Sequence, residues 1–325
     1  MNKYDEQNDV KSTFGLPTTM SFDVFKECID KIPKYVDIHF SGFSEPFLNP
    51  KCADMIQYAH EHGHKIAVFT TLVGLKEQDI FKIKDIPFIA FVIHLPDGEK
   101  YAKILPTQNY LDVLKKLISL KIYHMSCMTM GTLPSEIISI IKQDFSPNKM
   151  HNRAGNCDYG MKVNKKLGPL ICSKANLNGE NTLDQNVLLP NGDLSLCCMD
   201  YGLENIIGNL ISQDYESILD GSKHKEIVKK LQSHDDEIIC RNCYASRYSV
   251  NPYPVKEKLK TLKDEYGNFI IKIYDDLLYR YPAQVEYDHL YAMLSNKQMT
   301  FDDVYNFIFN CEERRGLRPL PFNHD

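Results

Sequence analysis

The amino-acid sequence predicts an α/β protein with a small cysteine-containing domain and a helical tail, and three observations lead to that prediction. Helical and strand patterns alternate over residues 20–160, which is typical of a parallel sheet connected by helices. Residues 165–250 lose this alternation and contain paired and closely spaced cysteines. From residue 264 onward, apolar positions recur at helical spacing. We therefore expect a parallel sheet or partial barrel, an irregular α+β domain and an all-α domain.

The elements of the first part can be assigned in chain order. Ser21 is a suitable N-cap for a first helix, which Pro33 ends. Strands are predicted at residues 36–40, 66–70, 88–95 and 122–130, with a short last strand that ends near Arg153. The intervening helices are predicted at residues 53–62, 75–83, 110–120 and 135–141.

Turn residues and composition define the other parts. Asn191-Gly192 is a strong tight-turn signal between apolar runs at 187–189 and 194–198, and the resulting hairpin puts Cys197 at the end of a strand. The remaining boundaries are a polar N-terminal segment at 1–19, a linker with two prolines at 251–263 and a helical domain at 264–318.

Composition and charge exclude several classes of protein. The chain has 325 residues, of which 43% are hydrophobic and 25% are charged, as in an ordinary globular protein. Its net charge of −5, without a long run of Lys or Arg, gives no basic surface for nucleic acid or an anionic membrane. The sequence has no apolar run of about 18 residues and a polar N-terminus, so we expect neither a spanning helix nor a signal peptide. These features predict a cytoplasmic protein with reduced cysteines.

Four cysteines of the second part have the spacing of metal ligands rather than of core residues. Cys240 and Cys243 form a Cys-x2-Cys pair, which Cys172 and Cys197 precede. Soft thiolates bind zinc or the iron of an iron-sulfur cluster, and the spacing alone leaves both metals open. The other cysteines that could replace one of these ligands are Cys198 and Cys157.

A carboxylate follows the first predicted strand. The segment Phe43-Ser44-Glu45-Pro46 lies just beyond it, and ligands of parallel sheets and barrels bind at that end of the strands. A carboxylate there suits a cationic amine through charge-assisted hydrogen bonds. This segment resembles the Gly-Gly-Glu-Pro motif of radical S-adenosylmethionine (radical SAM) enzymes, which holds the methionyl ammonium of the cofactor. The resemblance implies that Ser44 and Glu45 bind SAM.

The same resemblance implies cofactor contacts at later strand ends. Thr71 lies where the family has a Thr-Asn-Gly turn, His94 where a polar side chain often meets the ribose, and Arg153 near the cofactor carboxylate or the substrate. The implied fold is a partial (β/α) radical SAM barrel. In the intact family, SAM yields a 5′-deoxyadenosyl radical that abstracts hydrogen from the substrate. An electron donor and a substrate are therefore implied, and a peptide and a sugar are both possible substrates.

Residues 169–243 resemble the SPASM domain, which follows many radical SAM barrels and binds auxiliary iron-sulfur clusters. Its landmarks occur in order, from Leu170-Ile-Cys-Ser through the hairpin to Cys240-Arg-Asn-Cys243. Since the later cysteines of the two-cluster pattern are absent, the resemblance implies one auxiliary 4Fe-4S cluster, held by Cys172, Cys197, Cys240 and Cys243. The helical tail resembles a bacterial domain of unknown function that is related to phycobilisome linkers.

The chain departs from the radical SAM pattern at the reactive cluster. That family holds this cluster with Cys-x3-Cys-x2-Cys upstream of the first helix predicted here, and the sequence contains no such triplet. We expect that this chain alone does not cleave SAM, and that it is either a truncated enzyme, which we favour, or a degenerate relative. The alternative function is a non-catalytic scaffold that keeps an iron-sulfur cluster or zinc and binds a partner.

Overall fold

The structure is a computed structural model that describes residues 19–141, 145–147, 152–157, 165–177, 180–234, 236–248, 264–278 and 282–311. The predicted N-terminal segment, apart from Thr19, lies outside these residues, as do the predicted linker and the last seven residues of the predicted helical domain.

Five parallel strands form the main sheet. They are β1 Ile38–Phe40, β2 Ile66–Thr70, β3 Ala90–His94, β4 Met125–Thr129 and β5 Phe145–Pro147, in that spatial order. Each strand pairs in parallel with the next. The middle strands are buried because their residues are almost continuously apolar, which is typical of a sheet covered on both faces. The α/β prediction is confirmed, and four of the five strands lie within the ranges predicted for them.

Helices connect these strands and cover the sheet. They are α1 Phe22–Ile29, α2 Cys52–Glu61, α3 Glu77–Ile83, α4 Gln108–Leu120 and α5 Ser135–Ile140, with a 3-10 turn at Pro46–Leu48. The Ser21 hydroxyl accepts a hydrogen bond from the Val24 amide at 3.2 Å, so the predicted N-cap is confirmed.

The last strand of the sheet differs from its prediction. β5 ends at Pro147, and Arg153–Gly155 forms a 3-10 turn rather than the end of a strand. Arg153 and Ala154 have φ values of 47° and 56°, in the left-handed region that a strand does not include. The prediction of a strand end near Arg153 was therefore wrong.

Short elements make up residues 165–248. The strands are β6 Leu170–Cys172, β7 Asn176–Leu177, β8 Glu180–Asn181, β9 Val187–Leu188, β10 Asp193–Ser195, β11 Ile206–Asn209 and β12 Ser246–Tyr248. The helices are α6 Tyr215–Leu219, α7 Ser222–Gln232 and a 3-10 turn at Ile239–Asn242. The antiparallel sheets have the orders β11-β10-β9, β12-β6 and β7-β8. The predicted hairpin is confirmed, since β9 pairs with β10 and Gly192 occupies the turn with φ of 84°.

One hydrophobic core runs through the sheet and the short elements. Phe40 of β1 and Leu114 of α4 belong to it, as do Leu194 of β10 and Cys240. The tail has a separate core between α8 Glu265–Leu278, α9 Gln284–Ser295 and α10 Phe301–Asn310. No helix within the described ranges has the length and apolar character needed to cross a membrane.

Candidate metal centre

The four predicted ligands come from separate places in the chain, and strand pairing brings them together. Cys172 ends β6, Cys197 lies two residues after β10, and Cys240 and Cys243 belong to the 3-10 turn and its end. β12 follows this turn and pairs with β6, so that Ser246 lies opposite Cys172. The amide of Ser173 also donates to the carbonyl of Ala245 at 2.9 Å. The pairing therefore places the Cys-x2-Cys turn beside Cys172.

Cys197 and Cys198 pack against a small apolar cluster that includes Cys243, and the pKa values of the Cys197 and Cys240 thiols are raised. Burial raises the pKa of the Cys240 thiol well above its usual range, and the neighbouring Cys197, Cys243 and Cys172 raise it further. Burial is also the main reason that the pKa of Cys197 lies at about 12, and Cys198 and Cys243 add to the shift. Without a metal, the Cys197 and Cys240 thiols stay protonated at neutral pH, and metal binding would release their protons.

The donor set fits iron or zinc, because both metals bind thiolates. Within the described part of the chain, no three His, Cys, Asp or Glu side chains are arranged around a single metal ion. A 4Fe-4S cluster binds each thiolate to a different iron, so its ligands do not converge on one point. Both predicted substitutes are near: Cys198 packs with Cys197 and Cys243 in a small apolar cluster, and Cys157 follows the neighbouring 3-10 turn.

Arg241 lies between the two turn cysteines and is fully buried. Its hydrogen bonds connect this turn to three other segments of the chain. Its guanidinium donates six hydrogen bonds of 2.6–3.2 Å and none of them goes to a carboxylate. The acceptors are the carbonyls of Lys166, Gly168, Lys230, Ser233 and Asp236 and the hydroxyl of Ser233. The turn is therefore fixed mainly by contacts to the backbone.

Lys166 contacts the same turn from the other side. Its Nζ donates to the carbonyl of Cys243 at 2.7 Å, and its amide donates to the carbonyl of Arg241 at 2.9 Å. Burial lowers the pKa of the Lys166 ammonium to about 8, although the negative charges of Cys243 and Cys240 oppose this shift.

A buried carboxylate holds the loop after Cys197 and Cys198. Asp200 is 1% exposed and accepts from the Ser195 hydroxyl, the amides of Glu204 and Asn205 and the Asn205 side chain at 2.8–3.2 Å. These bonds fix the path of the chain from β10 through the cysteines to β11.

The predicted SAM motif lies at the carboxyl ends of β1 and β2. Oε1 of Glu45 accepts from the Phe47 amide at 3.1 Å and the Thr70 hydroxyl at 2.7 Å. Oε2 accepts from the amide and the hydroxyl of Thr71 at 2.5 and 2.6 Å. A carboxylate has about four lone-pair sites, so all of them are in use here. Glu45 thus joins the β1 loop to the end of β2, and its binding of a methionyl ammonium stays a prediction, as does that of the exposed Ser44.

We expect Glu45→Gln to lower the free energy of unfolding by about 1–3 kcal/mol, because the amide NH2 would face donors instead of accepting from them. Urea denaturation of both proteins measures the difference, and Glu61→Gln, at the exposed end of α2, is the matched control. A Glu45→Gln protein as stable as the control would contradict the structural role of this carboxylate.

Of the other predicted cofactor residues, Arg153 contacts the cysteine loop and His94 lies near Arg153. His94 ends β3, and its pKa is lowered first by burial and then by the charge of Arg153. Nη1 of Arg153 donates to the carbonyl of Cys198 at 3.0 Å, and the guanidinium lies 5.1 Å from the ring centre of Tyr201. Tyr201 in turn donates its hydroxyl to the carbonyl of Phe43 at 3.1 Å. Arg153 and Tyr201 therefore join the Cys197–Cys198 loop to the strand ends.

A large cavity lies between residues 182–228 and the edge of the sheet formed by β1, the loop after it and α1. Its volume is about 1510 Å³, and its lining includes His39, Ser44, Glu45, Val187, Cys198 and His224. The cavity is thus bordered both by the predicted SAM motif and by the cysteine loop.

Residues 181–244 match the family model of the SPASM domain, an iron-sulfur cluster-binding domain. The predicted resemblance to this domain is confirmed. The SPASM segment includes Cys197, Cys198, Cys240 and Cys243, whereas Cys172 precedes it. The resemblance of the helical tail to a phycobilisome-linker relative stays a prediction.

Two solved structures of BtrN are similar to the chain. One is BtrN in complex with AdoMet and 2-DOIA, with 16% identity, a TM-score of 0.48 and coverage of 69% of this chain and 80% of BtrN. The other is selenomethionine BtrN in an open conformation, with 14% identity, a TM-score of 0.42 and the same coverage of 69% and 80%. No curated protein matches the chain.

Sequence reasoning found the cysteines of the SPASM segment but missed the residues that support them. Lys166, Tyr201 and Arg241 act through backbone groups that are distant in the chain. Asp200 acts through polar groups four or five residues away. Of these residues, Arg241 is the one with a signal in the sequence, because it lies inside the Cys-x2-Cys pair.

Proposed function

We propose that this chain is an iron-sulfur protein that binds one 4Fe-4S cluster through Cys172, Cys197, Cys240 and Cys243. The observation that carries the proposal is that two buried and two half-buried cysteines lie within and beside a segment that matches an iron-sulfur cluster-binding domain. A bound cluster supplies one-electron transfer. The chain itself supplies thiolates, excludes water by burial and fixes the turn through Arg241 and Lys166.

After anaerobic purification and reconstitution, we expect about four irons per chain and a brown colour with broad visible absorbance. Iron, sulfide and zinc analysis of the same sample measures this. About eight irons would reveal a second cluster. Stoichiometric zinc in protein purified from native cells would instead support a zinc site.

The cluster is proposed to serve a radical SAM oxidoreductase or maturase that abstracts hydrogen from a peptide or a sugar. Ser44, Glu45, Thr71, His94 and Arg153 are the proposed SAM contacts. Ser44 and Glu45 follow β1 and line a cavity that Cys198 also lines, and Thr71 and His94 lie at the ends of β2 and β3. Arg153 lies in a 3-10 turn and contacts the carbonyl of Cys198. These positions support the assignment. An electron donor and a cytoplasmic location belong to the same proposal.

A non-catalytic iron-sulfur scaffold is the second candidate, and the contacts of Glu45 favour it. All four lone-pair sites of its carboxylate accept hydrogen bonds from the chain itself. A SAM ammonium would have to displace some of these donors.

We expect this chain, reconstituted and reduced, to form no 5′-deoxyadenosine from SAM above a no-protein control, because no Cys-x3-Cys-x2-Cys is present to hold an open iron. Chromatography of the reaction measures the product, and isothermal titration with SAM measures binding separately. Binding without cleavage would favour the enzyme-derived site, and absence of both would favour the scaffold. Product above the control would overturn the expectation.

A further inference from the structure

Lys166 and Arg241 contact the Cys240–Cys243 turn, and neither pairs with a carboxylate among the described residues. Among the described residues, neither Lys166 nor Arg241 forms an ion pair, and their side chains donate to backbone carbonyls and one hydroxyl. Removing a cation from water is costly unless a negative charge lies nearby. Within the described part of the chain, a negative charge beside these two cations would therefore be stabilising.

The Lys166 ammonium lies beside the predicted cluster ligands. Its Nζ donates to the carbonyl of Cys243 at 2.7 Å, and its amide donates to the carbonyl of Arg241 between the two turn cysteines. A cluster held by four thiolates is negatively charged in both redox states and gains one further negative charge on reduction. The cluster would thus supply the missing counter-charge.

We propose that Lys166 sets the reduction potential of the SPASM cluster by favouring its reduced state. This inference rests on the cluster of the proposed function. One electron passes from an external reductant to the cluster, no bond forms or breaks, and Lys166 keeps its proton. Lys166 acts through the cluster and is a positioning residue.

Lys166 is a better subject for this test than Arg241. Arg241 donates six hydrogen bonds, so its replacement would change the fold along with the charge. The Lys166 ammonium donates to the carbonyl of Cys243, and glutamine can also donate to a carbonyl without carrying a charge. The neighbouring Lys165 is exposed and pairs with Glu237 at the surface, so it offers a matched control.

The experiment is a dithionite titration of the full, iron-loaded chain, followed by electron paramagnetic resonance. At the wild-type midpoint potential, Lys166→Gln should lower the ratio of reduced to oxidised cluster by about three- to tenfold, where tenfold corresponds to 59 mV for one electron. Lys166→Arg, which keeps the charge, and Lys165→Gln should stay near the wild-type ratio.

The possible outcomes separate this inference from the proposed function. A wild-type chain without iron would overturn the proposed function itself. An iron-loaded Lys166→Gln protein with the wild-type midpoint would overturn only the role of Lys166. If Lys166→Gln lost the cluster while Lys166→Arg kept it and its midpoint, the requirement for charge would be supported. Loss of the cluster in both variants would overturn the inference, since the shape of lysine would then matter rather than its charge.

Discussion

The double variant Cys240→Ala and Cys243→Ala is expected to lose its iron and to become sensitive to proteases throughout residues 170–248. The strands of this part are only two to four residues long, so hydrogen bonding within them stabilises it little. Small domains of this kind depend on their metal to fold, because the free energy of metal binding is part of the free energy of folding. Iron analysis and limited proteolysis with mass spectrometry measure the two effects.

The control for this experiment removes two cysteines elsewhere. Cys127→Ala with Cys311→Ala changes β4 and the end of α10 and should leave the iron content unchanged. If the Cys240 and Cys243 variant kept the protease resistance of the wild type, the structural role of the metal would be refuted. If it kept its iron, these two cysteines would not be ligands.

Arg241→Met is expected to lower the free energy of unfolding by more than about 3 kcal/mol, because it leaves several buried carbonyls without a donor. Arg241→Lys keeps the charge but reaches fewer of the acceptors, so its loss should be smaller. Guanidinium denaturation of the iron-loaded proteins, compared at equal iron content, measures both values.

The exposed Lys229 of α7 provides the control, since Lys229→Met removes a cation from a helix close to the same turn without burying a polar group. We expect its stability to stay within about 0.5 kcal/mol of the wild type. An Arg241→Met protein within that range would mean that the observed hydrogen bonds contribute little to folding.

The parallel sheet could be predicted because its signal is local. Residues 66–70 and 88–95 are almost continuously apolar, and a helical pattern separates them. Few folds other than a parallel sheet are compatible with this order. The end of the sheet could not be predicted in the same way. Arg153 and Ala154 have left-handed backbone conformations, and neither residue type signals that conformation in a sequence.

The cysteine ligands could be proposed from spacing, but their surroundings could not. Arg241 bonds to Lys166 across 75 residues of chain, and Tyr201 bonds to Phe43 across 158 residues. The contact of Tyr201 arises only when the sheet and the SPASM segment pack together, and that of Arg241 only when residues 165–168 pack against the cysteine turn. Glu45 illustrates the same limit, because the motif predicts a ligand-binding carboxylate while the threonines that bind it lie at the end of another strand.

Under the proposed function, the core that the sheet shares with the SPASM segment would link iron supply to the lifetime of the protein. Cys240 packs in the same core as Phe40, so whatever stabilises the cysteine turn also stabilises the sheet. Amide protons of β2 should then exchange with solvent more slowly in the iron-loaded chain, whereas those of α9, in its separate core, should keep their rates. In a cell short of iron, the sheet would open more often, and quality-control proteases would degrade the protein faster.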